Sequence, residues 1–187
     1  MNLTVSVKPT IEPVSVADVL AWSRIDDSGE AAEIERLIKR VREHVEGMLN
    51  RALLTQTLVA RYDCFPRCFE LRAPAVSVTG LQYIDQAGVT QTVSASNYWT
   101  DFYSEPGRLV PTWSYSWPST QDGRPNSVIL TYVAGWTAAD LVPEPIRMGI
   151  LMLADHWFEN RGAIAAGGAL PDVPVAVRNI LWPYLIP

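Results

Sequence analysis

The chain has 187 residues, 48% of them hydrophobic and 19% charged, with a formal net charge of −5 and a pI near 5.0. That length lets a folded chain bury roughly 70% of the surface its unfolded form exposes, and the composition excludes a disordered polymer. The acidic balance excludes a sequence-independent DNA binder, which needs a basic face to displace counterions from phosphates.

Residues 1–13 hold Pro9 and Pro13 and alternate weakly through Leu3, Val5 and Val7, which predicts an arm or an edge strand. The N-terminus lacks the basic and apolar regions of a secretion signal, and no apolar run reaches the length of a membrane span. Two cysteines, Cys64 and Cys68, then point to a reducing compartment. Ser15 has the chemistry of a helix N-cap, with Asp18 three residues on, and predicts a short helix from Val16 to Arg24. Asp26-Asp27-Ser28-Gly29 is a loop with capping side chains.

Ile34, Leu37, Ile38, Val41, Val45 and Met48 recur at helical spacing, so Glu30 to Arg51 is an amphipathic helix with one buried stripe. Arg36, Lys39, Arg40 and Arg42 lie between them, opposed by Glu33, Glu35, Glu43 and Glu46. This mixed-charge face suits subunit contact or plain solvation.

β-Branched residues then dominate. Strands are expected over 55–62, 68–72, 76–84, 89–93, 98–102, 107–111 and 127–133. Asp85-Gln86-Ala87-Gly88 makes a hairpin turn with glycine where φ is positive, and residues 113–126 form a long polar-aromatic loop. Helix returns after Pro143, with Pro145 in the first turn. Ile146, Gly149, Ile150, Leu153, Ala154 and Trp157 share one face. Met148, Leu151 and Met152 make the other faces apolar, which predicts burial on several sides, by other subunits as well as by the chain's own core. Residues 163–170 read as a loop and Val175 to Leu181 as a short helix. Trp182-Pro183-Tyr184-Leu185-Ile186-Pro187 is an apolar tail that must fold back or dock elsewhere. Seven Trp and seven Tyr are many for this length, and they suit either a Trp-rich core or interface anchors. The fold class is α+β: a helical bundle with an inserted small antiparallel sheet unit.

Candidate chemistry is thin. Cys64-x3-Cys68 lacks the second ligand pair a zinc site needs, and the two histidines, His44 and His156, fall on different helices. His156 with Asp155 and Glu159 has no accompanying nucleophile, and no G-x-S-x-G, H-E-x-x-H or P-loop occurs. Gly167-Gly168 has neither the strand before it nor the Lys and Ser/Thr after it that a phosphate loop requires, and Asp26-Asp27 reads as loop capping. No catalytic residue, metal or cofactor is expected.

A run of segments, in order, resembles the head–tail connector (adaptor) family of tailed phages, prophages and gene transfer agents. They are Pro13-Val14-Ser15-Val16-Ala17-Asp18; Val45-Glu46-Gly47-Met48-Leu49-Asn50-Arg51-Ala52-Leu53 into Thr55-Gln56-Thr57; and Val76-x-Val78-Thr79-Gly80-Leu81-Gln82-Tyr83. Tyr98 ahead of Glu105-Pro106-Gly107-Arg108-Leu109 follows, then Trp117-Pro118, Arg124-Pro125-Asn126, Thr131-Tyr132-Val133-Ala134-Gly135-Trp136, Pro143-Glu144-Pro145-Ile146-Arg147 and His156-Trp157-Phe158-Glu159-Asn160-Arg161. The likeness runs from about residue 12 to the end.

The resemblance implies one connector domain over 1–187, with N-terminal helices over 1–53, a β-rich insert over 54–135, and C-terminal helices and a docking tail over 143–187. It implies a structural subunit of a virion or phage-like particle, made in the host cytoplasm and placed at the head–tail junction. Copies would form a ring, usually of twelve, under the portal. Arg178, Trp182, Pro183, Tyr184, Leu185 and Ile186 would dock on the portal protein. Arg36, Lys39, Arg40, Glu43, Met148, Leu151 and Met152 are candidates for contacts within the ring. Gln86, Gly88, Trp113, Tyr115 and Trp117 are candidates for the next tail-side (stopper) protein. DNA would pass through the lumen without specific binding; twelve copies carry about −60. A tail-end or head-closure protein is the neighbouring alternative, and a nucleic-acid-binding packaging factor a more distant one.

Overall fold

The computed structural model describes residues 2–24, 28–161 and 172–186. The chain divides into two compact units, a sheet unit of Met1–Pro9 with Thr55–Gly135 and a helical unit of Thr10–Leu54 with Trp136–Pro187. The fold is α+β, with antiparallel sheets inserted between helices.

The sheet unit begins with β1 (Asn2–Val7) and continues with β2 (Gln56–Tyr62), β3 (Phe69–Leu71), β4 (Ala75–Ile84), β5 (Thr90–Thr92), β6 (Tyr98–Asp101), β7 (Gly107–Pro111) and β8 (Val128–Ala134). Five strands form one sheet in the order β1-β2-β8-β4-β5, and three form another in the order β3-β7-β6. Residues 2–7 are therefore an edge strand of the sheet unit, not part of the N-terminal helices. β8 lies at the centre of the larger sheet. Its alternating Val128, Leu130, Tyr132 and Ala134 are buried, as period-2 patterning requires of a strand with one covered face. The Tyr132 hydroxyl accepts the backbone N–H of Arg72 at 3.1 Å, so this buried phenol is not left unpaired.

The smaller sheet buries Phe69, Leu71 and Leu109. Gly107 sits where it meets β4: a Cβ added there would lie 2.9 Å from the Ala75 Cβ and 3.3 Å from the Asp101 carbonyl oxygen. Neither neighbour is the free end of a flexible side chain.

The helical unit contains α1 (Val16–Ser23), α2 (Ala31–Leu49), α3 (Glu144–Glu159) and α4 (Val175–Leu181). Ser15 and Asp18 form a full capping box: the Ser15 hydroxyl accepts the Asp18 N–H at 3.1 Å, and the Asp18 carboxylate accepts the Ser15 N–H at 2.8 Å. α2 ends at Asn50, which takes the left-handed conformation with φ +52°. Its stripe of Ile34, Leu37, Ile38, Val41, Val45 and Leu49 packs with Val19, Ile146, Ile150, Leu153, Trp157, Val177 and Leu181. Gly149 lets α4 approach α3, since a Cβ there would come within 2.9 Å of the Leu181 side chain.

Two charged residues of α2 lie inside this unit. Arg42 and Glu46, whose charges suggested a mixed-sign face for subunit contact or solvation, are 3% and 6% exposed. Arg42 Nε donates to Glu12 at 2.7 Å and Arg42 Nη1 to Glu46 at 3.0 Å, while the other Glu46 oxygen accepts the Leu53 N–H at 2.8 Å. The guanidinium thus pairs with two carboxylates that have lost most of their water.

Two stability outcomes are expected. Gly107→Ala overpacks a rigid contact and should destabilise the protein by about 1–3 kcal/mol in chemical denaturation. Arg42→Met removes the guanidinium that pairs with Glu12 and Glu46 and should cost about 3–5 kcal/mol; an unchanged denaturation midpoint would refute the buried cluster.

Candidate docking surfaces

The C-terminal segment is positioned by helix packing and then by backbone hydrogen bonds. Val177 and Leu181, one turn apart, bury one side of α4. Trp182–Tyr184 add a single 3₁₀ turn. The Ile186 N–H donates to the Leu49 carbonyl at 3.1 Å, and Arg51 Nε donates to the Tyr184 carbonyl at 2.6 Å. Both partners lie at the end of α2, where helix carbonyls lack intrahelical donors. Ile186 is buried, so this part of the expected docking tail belongs to the protein's own core. Trp182 remains 72% exposed, and Pro183, Leu185 and Arg178 are exposed beside it. Met48, Leu49, Arg178, Leu181, Trp182 and Leu185 line an open groove of about 170 Å³. An apolar cavity of ~150 Å³ holds a benzene ring, so this groove has room for one aromatic or branched side chain. Pro187 lies outside the described residues.

The expected ring-contact residues separate into two kinds. Arg36, Lys39, Arg40 and Glu43 are all exposed. Arg36 pairs with Glu33 at 2.8 Å, Lys39 with Glu35 at 2.8 Å and Arg40 with Glu33 at 3.7 Å. The Lys39 ammonium holds the Glu35 carboxyl below its ordinary value by hydrogen bonding. Leu151 and Met152 instead pack against the helical core, and Met148 stays exposed at 39%. The apolar residues outside the main face of α3 are thus partly covered by the chain itself.

The expected tail-side residues also divide. Gln86 and Gly88 are exposed in the β4–β5 turn, with Gly88 at φ +80°. The Asp85 carboxylate fixes this turn, accepting the N–H groups of Ala87 and Val89 and the Gln91 side-chain amide, each at 2.9 Å. These bonds, the Gln91 one foremost, depress the Asp85 carboxyl. Trp113 is 88% exposed. Trp117 stacks on Phe65 at 4.9 Å between centroids and meets Phe69 edge-on, with Tyr115 edge-on to Trp117. Tyr115 and Trp117 therefore pack in an aromatic cluster while staying partly exposed, and Trp113 stands clear of it.

Three exposed aromatics carried no clear signal in the sequence: Trp22 on α1, Trp99 and Tyr103. Trp99 on β6 is 55% exposed, and Tyr103 at the tip of the β6–β7 hairpin is fully exposed. The Asp101 carboxylate locks that tip, accepting the Ser104 hydroxyl at 2.6 Å, the Arg108 guanidinium at 2.8 Å and the Tyr103 and Ser104 N–H groups. The Ser104 hydroxyl and then Arg108 hold the Asp101 carboxyl far below its ordinary value. The spacing Asp101, Ser104, Arg108 across a predicted hairpin was the available signal.

No protein-family model matches the chain, and no curated protein matches it. The chain shares its fold with components of gene transfer agent particles. A chain in the neck of an empty particle, computed with C6 symmetry, superposes with a TM-score of 0.79 at 19% identity. A chain in the virion of a native particle gives 0.79 at 20% identity, and one in the neck of a native particle, computed with C12 symmetry, gives 0.72 at 18%. Each match covers 99% of this chain and 95% of the other. Both units, helical and sheet, thus belong to the shared fold.

Among the described residues no group of three or more His, Cys, Asp or Glu is placed to hold a metal ion, and no helix is long and apolar enough to cross a membrane. Cys64 and Cys68 are free thiols. The His156 carbonyl accepts the Asn160 side-chain amide at 2.7 Å, which closes the end of α3. Asp26, Asp27 and Gly167-Gly168 lie outside the described residues.

His44 packs edge-on against Trp157 at 5.3 Å, with its Nε2 buried and unpaired. Burial depresses its pKa below the ordinary 6.5. The unfolded chain therefore takes up the His44 proton first as pH falls, so stability present above pH 6.5 is lost below it. The melting temperature should fall between pH 7 and pH 5.5, and His44→Gln should flatten that slope; an unchanged slope in the variant would exclude His44 as its source.

Proposed function

We propose that the protein is a structural subunit of the neck of a phage-like or gene-transfer-agent-like particle. In this reading it is a head–tail connector that forms a ring under the portal and leaves a passage for DNA. The observation that carries the reading is the fold shared over 99% of the chain with neck components of gene transfer agent particles. The C12 and C6 symmetries of those necks support a ring of repeated copies. The role is one of assembly: copies find one another, the portal on one side and a stopper protein on the other, and no bond is made or broken.

The portal-facing surface is the C-terminal patch. Trp182 supplies a large amphipathic ring, Leu185 and the groove supply apolar surface, and Arg178 supplies charge at the rim. Exposed aromatics beside apolar pockets are the commonest interface anchors. The tail-facing surface comprises Trp113 and the Gln86–Gly88 turn. The net charge of −5 per copy keeps the ring from gripping DNA.

Trp182→Ala is the cleaner probe of the portal surface, because truncation at residue 182 would also remove buried Ile186. The variant should keep its melting temperature and bind the portal protein of the same particle about 30-fold more weakly, the effect of losing an anchor of ~2 kcal/mol. Mass photometry of the mixture reads the outcome. Portal complexes that form at wild-type concentrations would reject the patch as the docking surface, and a wild-type chain that never joins a portal ring would reject the connector reading.

A further inference from the structure

Among the described residues, no further strand pairs with the two edges of the five-stranded sheet, β1 on one side and β5 on the other. Natural sheets guard such edges with charge, proline or a bulge, because unpaired N–H and C=O groups recruit other strands. β1, Asn2-Leu3-Thr4-Val5-Ser6-Val7, has neither charge nor proline. All of its residues but Leu3 are exposed. Leu3 and Val5 stand opposite Ala60 and Leu58 on β2, and those two are fully buried. The inner apolar row of the sheet therefore runs on to its margin and is left uncovered there, with Val5 43% exposed. β1 carries one irregularity, between Val5 and Val7, which leaves Asn2 to Val5 in regular register. The opposite edge, Thr90-Gln91-Thr92, is also uncharged and exposed, and the Asp85 turn holds it in place.

Charge and strand direction identify the occupant. The sheet unit has six Lys and Arg against six Asp and Glu, so the whole −5 belongs to the helical unit. Copies repel one another through their helical units and not through their sheet units. Each neighbouring pair in the five-stranded sheet is antiparallel, so its first and fifth strands run in the same direction. Where rotation about a ring axis sets one copy's β1 beside the neighbour's β5, the two strands have the same sense, and the junction is of the parallel kind. Two different surfaces meet, the contact is heterologous, and it repeats until the ring closes.

From this we infer that copies of the chain join edge to edge, β1 of one to β5 of the next, by strand addition. The inference rests on the reading of the chain as a ring subunit. With only three residues in β5, a single junction is weak, and ring closure makes the junctions cumulative.

The test uses the full chain, concentrated alone and assembled with portal. Val5→Lys/Val7→Lys charges one edge and Thr90→Lys/Thr92→Lys the other, both at exposed positions, with circular dichroism to establish folding. Each variant alone should lose lateral association by tenfold or more, read by sedimentation, while a 1:1 mixture forms pairs, because each variant keeps one intact edge. A separate variant, Val5→Cys/Gln91→Cys with Cys64→Ser/Cys68→Ser, should give an oxidised ladder of copies that neither single cysteine gives, whatever the folding of the lysine variants. The inference is overturned if Thr90→Lys/Thr92→Lys copies still associate, if Val5→Cys alone yields dimers through a two-fold β1 contact, or if the double-cysteine chain assembles on portal without cross-linking. Val5→Lys/Val7→Lys copies that bind portal singly but not side by side would separate the two readings. Loss of portal binding by the wild-type chain alongside an intact ladder would strike the connector reading and leave the edge contact standing.

Discussion

The helical unit depends on one buried guanidinium. The chain enters this unit at Thr10 and leaves it for the sheet strands after Leu54, and Arg42 ties both points together. It holds Glu12, just past the entry, and Glu46, whose second oxygen fixes the Leu53 N–H just before the exit. A helix end that must release the chain into an inserted unit of some eighty residues has no short loop to hold it. The ion cluster does that work inside the core. Such a cluster adds little net stability over an apolar replacement of the same shape, since desolvation opposes the Coulomb attraction. What it adds here is position: the bonds through Arg42 and Glu46 hold Glu12 and Leu53 to the same stretch of α2.

This cluster also marks the limit of what was legible from the residues. The stripe of Ile34 through Leu49 predicted α2, and Asn50 in the left-handed conformation ended it near the expected place. Ser15 with Asp18 predicted the capping box, and the alternation in Val128 to Ala134 predicted the central strand. Each of these signals is local, within a few residues of the structure it dictates. Arg42 and Glu46 read as part of a surface face, for subunit contact or solvation, because charge normally stays outside; one partner in their burial, Glu12, is thirty residues from Arg42. The pairing of β1 with β2 joins Asn2 to Arg61, and no local pattern encodes it. Trp117 looked like a loop aromatic because Phe65, on which it stacks, lies fifty-two residues earlier. Among the candidate surfaces, Trp182, Leu185 and Trp113 were legible as apolar residues in segments without a periodic face. Trp99 was not, since an aromatic in a strand is more often core than surface.

The distribution of charge and aromatic rings divides the labour between the units. The helical unit carries the net charge and a mixed-sign surface on α2, which suits solubility before assembly. The sheet unit is neutral and holds six of the seven tyrosines. Its exposed rings, Trp99, Tyr103 and Trp113, sit on or beside strands. The Asp101 network fixes the hairpin that carries Tyr103 before any partner arrives. A contact surface that is already ordered loses little conformational entropy on binding.

The same argument applies to the C-terminal segment. A wholly free apolar tail would have to order its backbone on docking, at about 1–2 kcal/mol for each residue fixed. Here the last turns are ordered by the protein itself: Ile186 is buried and bonded to Leu49, and Arg51 holds the Tyr184 carbonyl. Trp182 and Leu185, next to these anchors in sequence, stay exposed and line the groove. The apolar character of the tail thus has two causes. Ile186 is apolar because it completes the core, and Trp182 is exposed because the core holds its neighbours and leaves it no room inside.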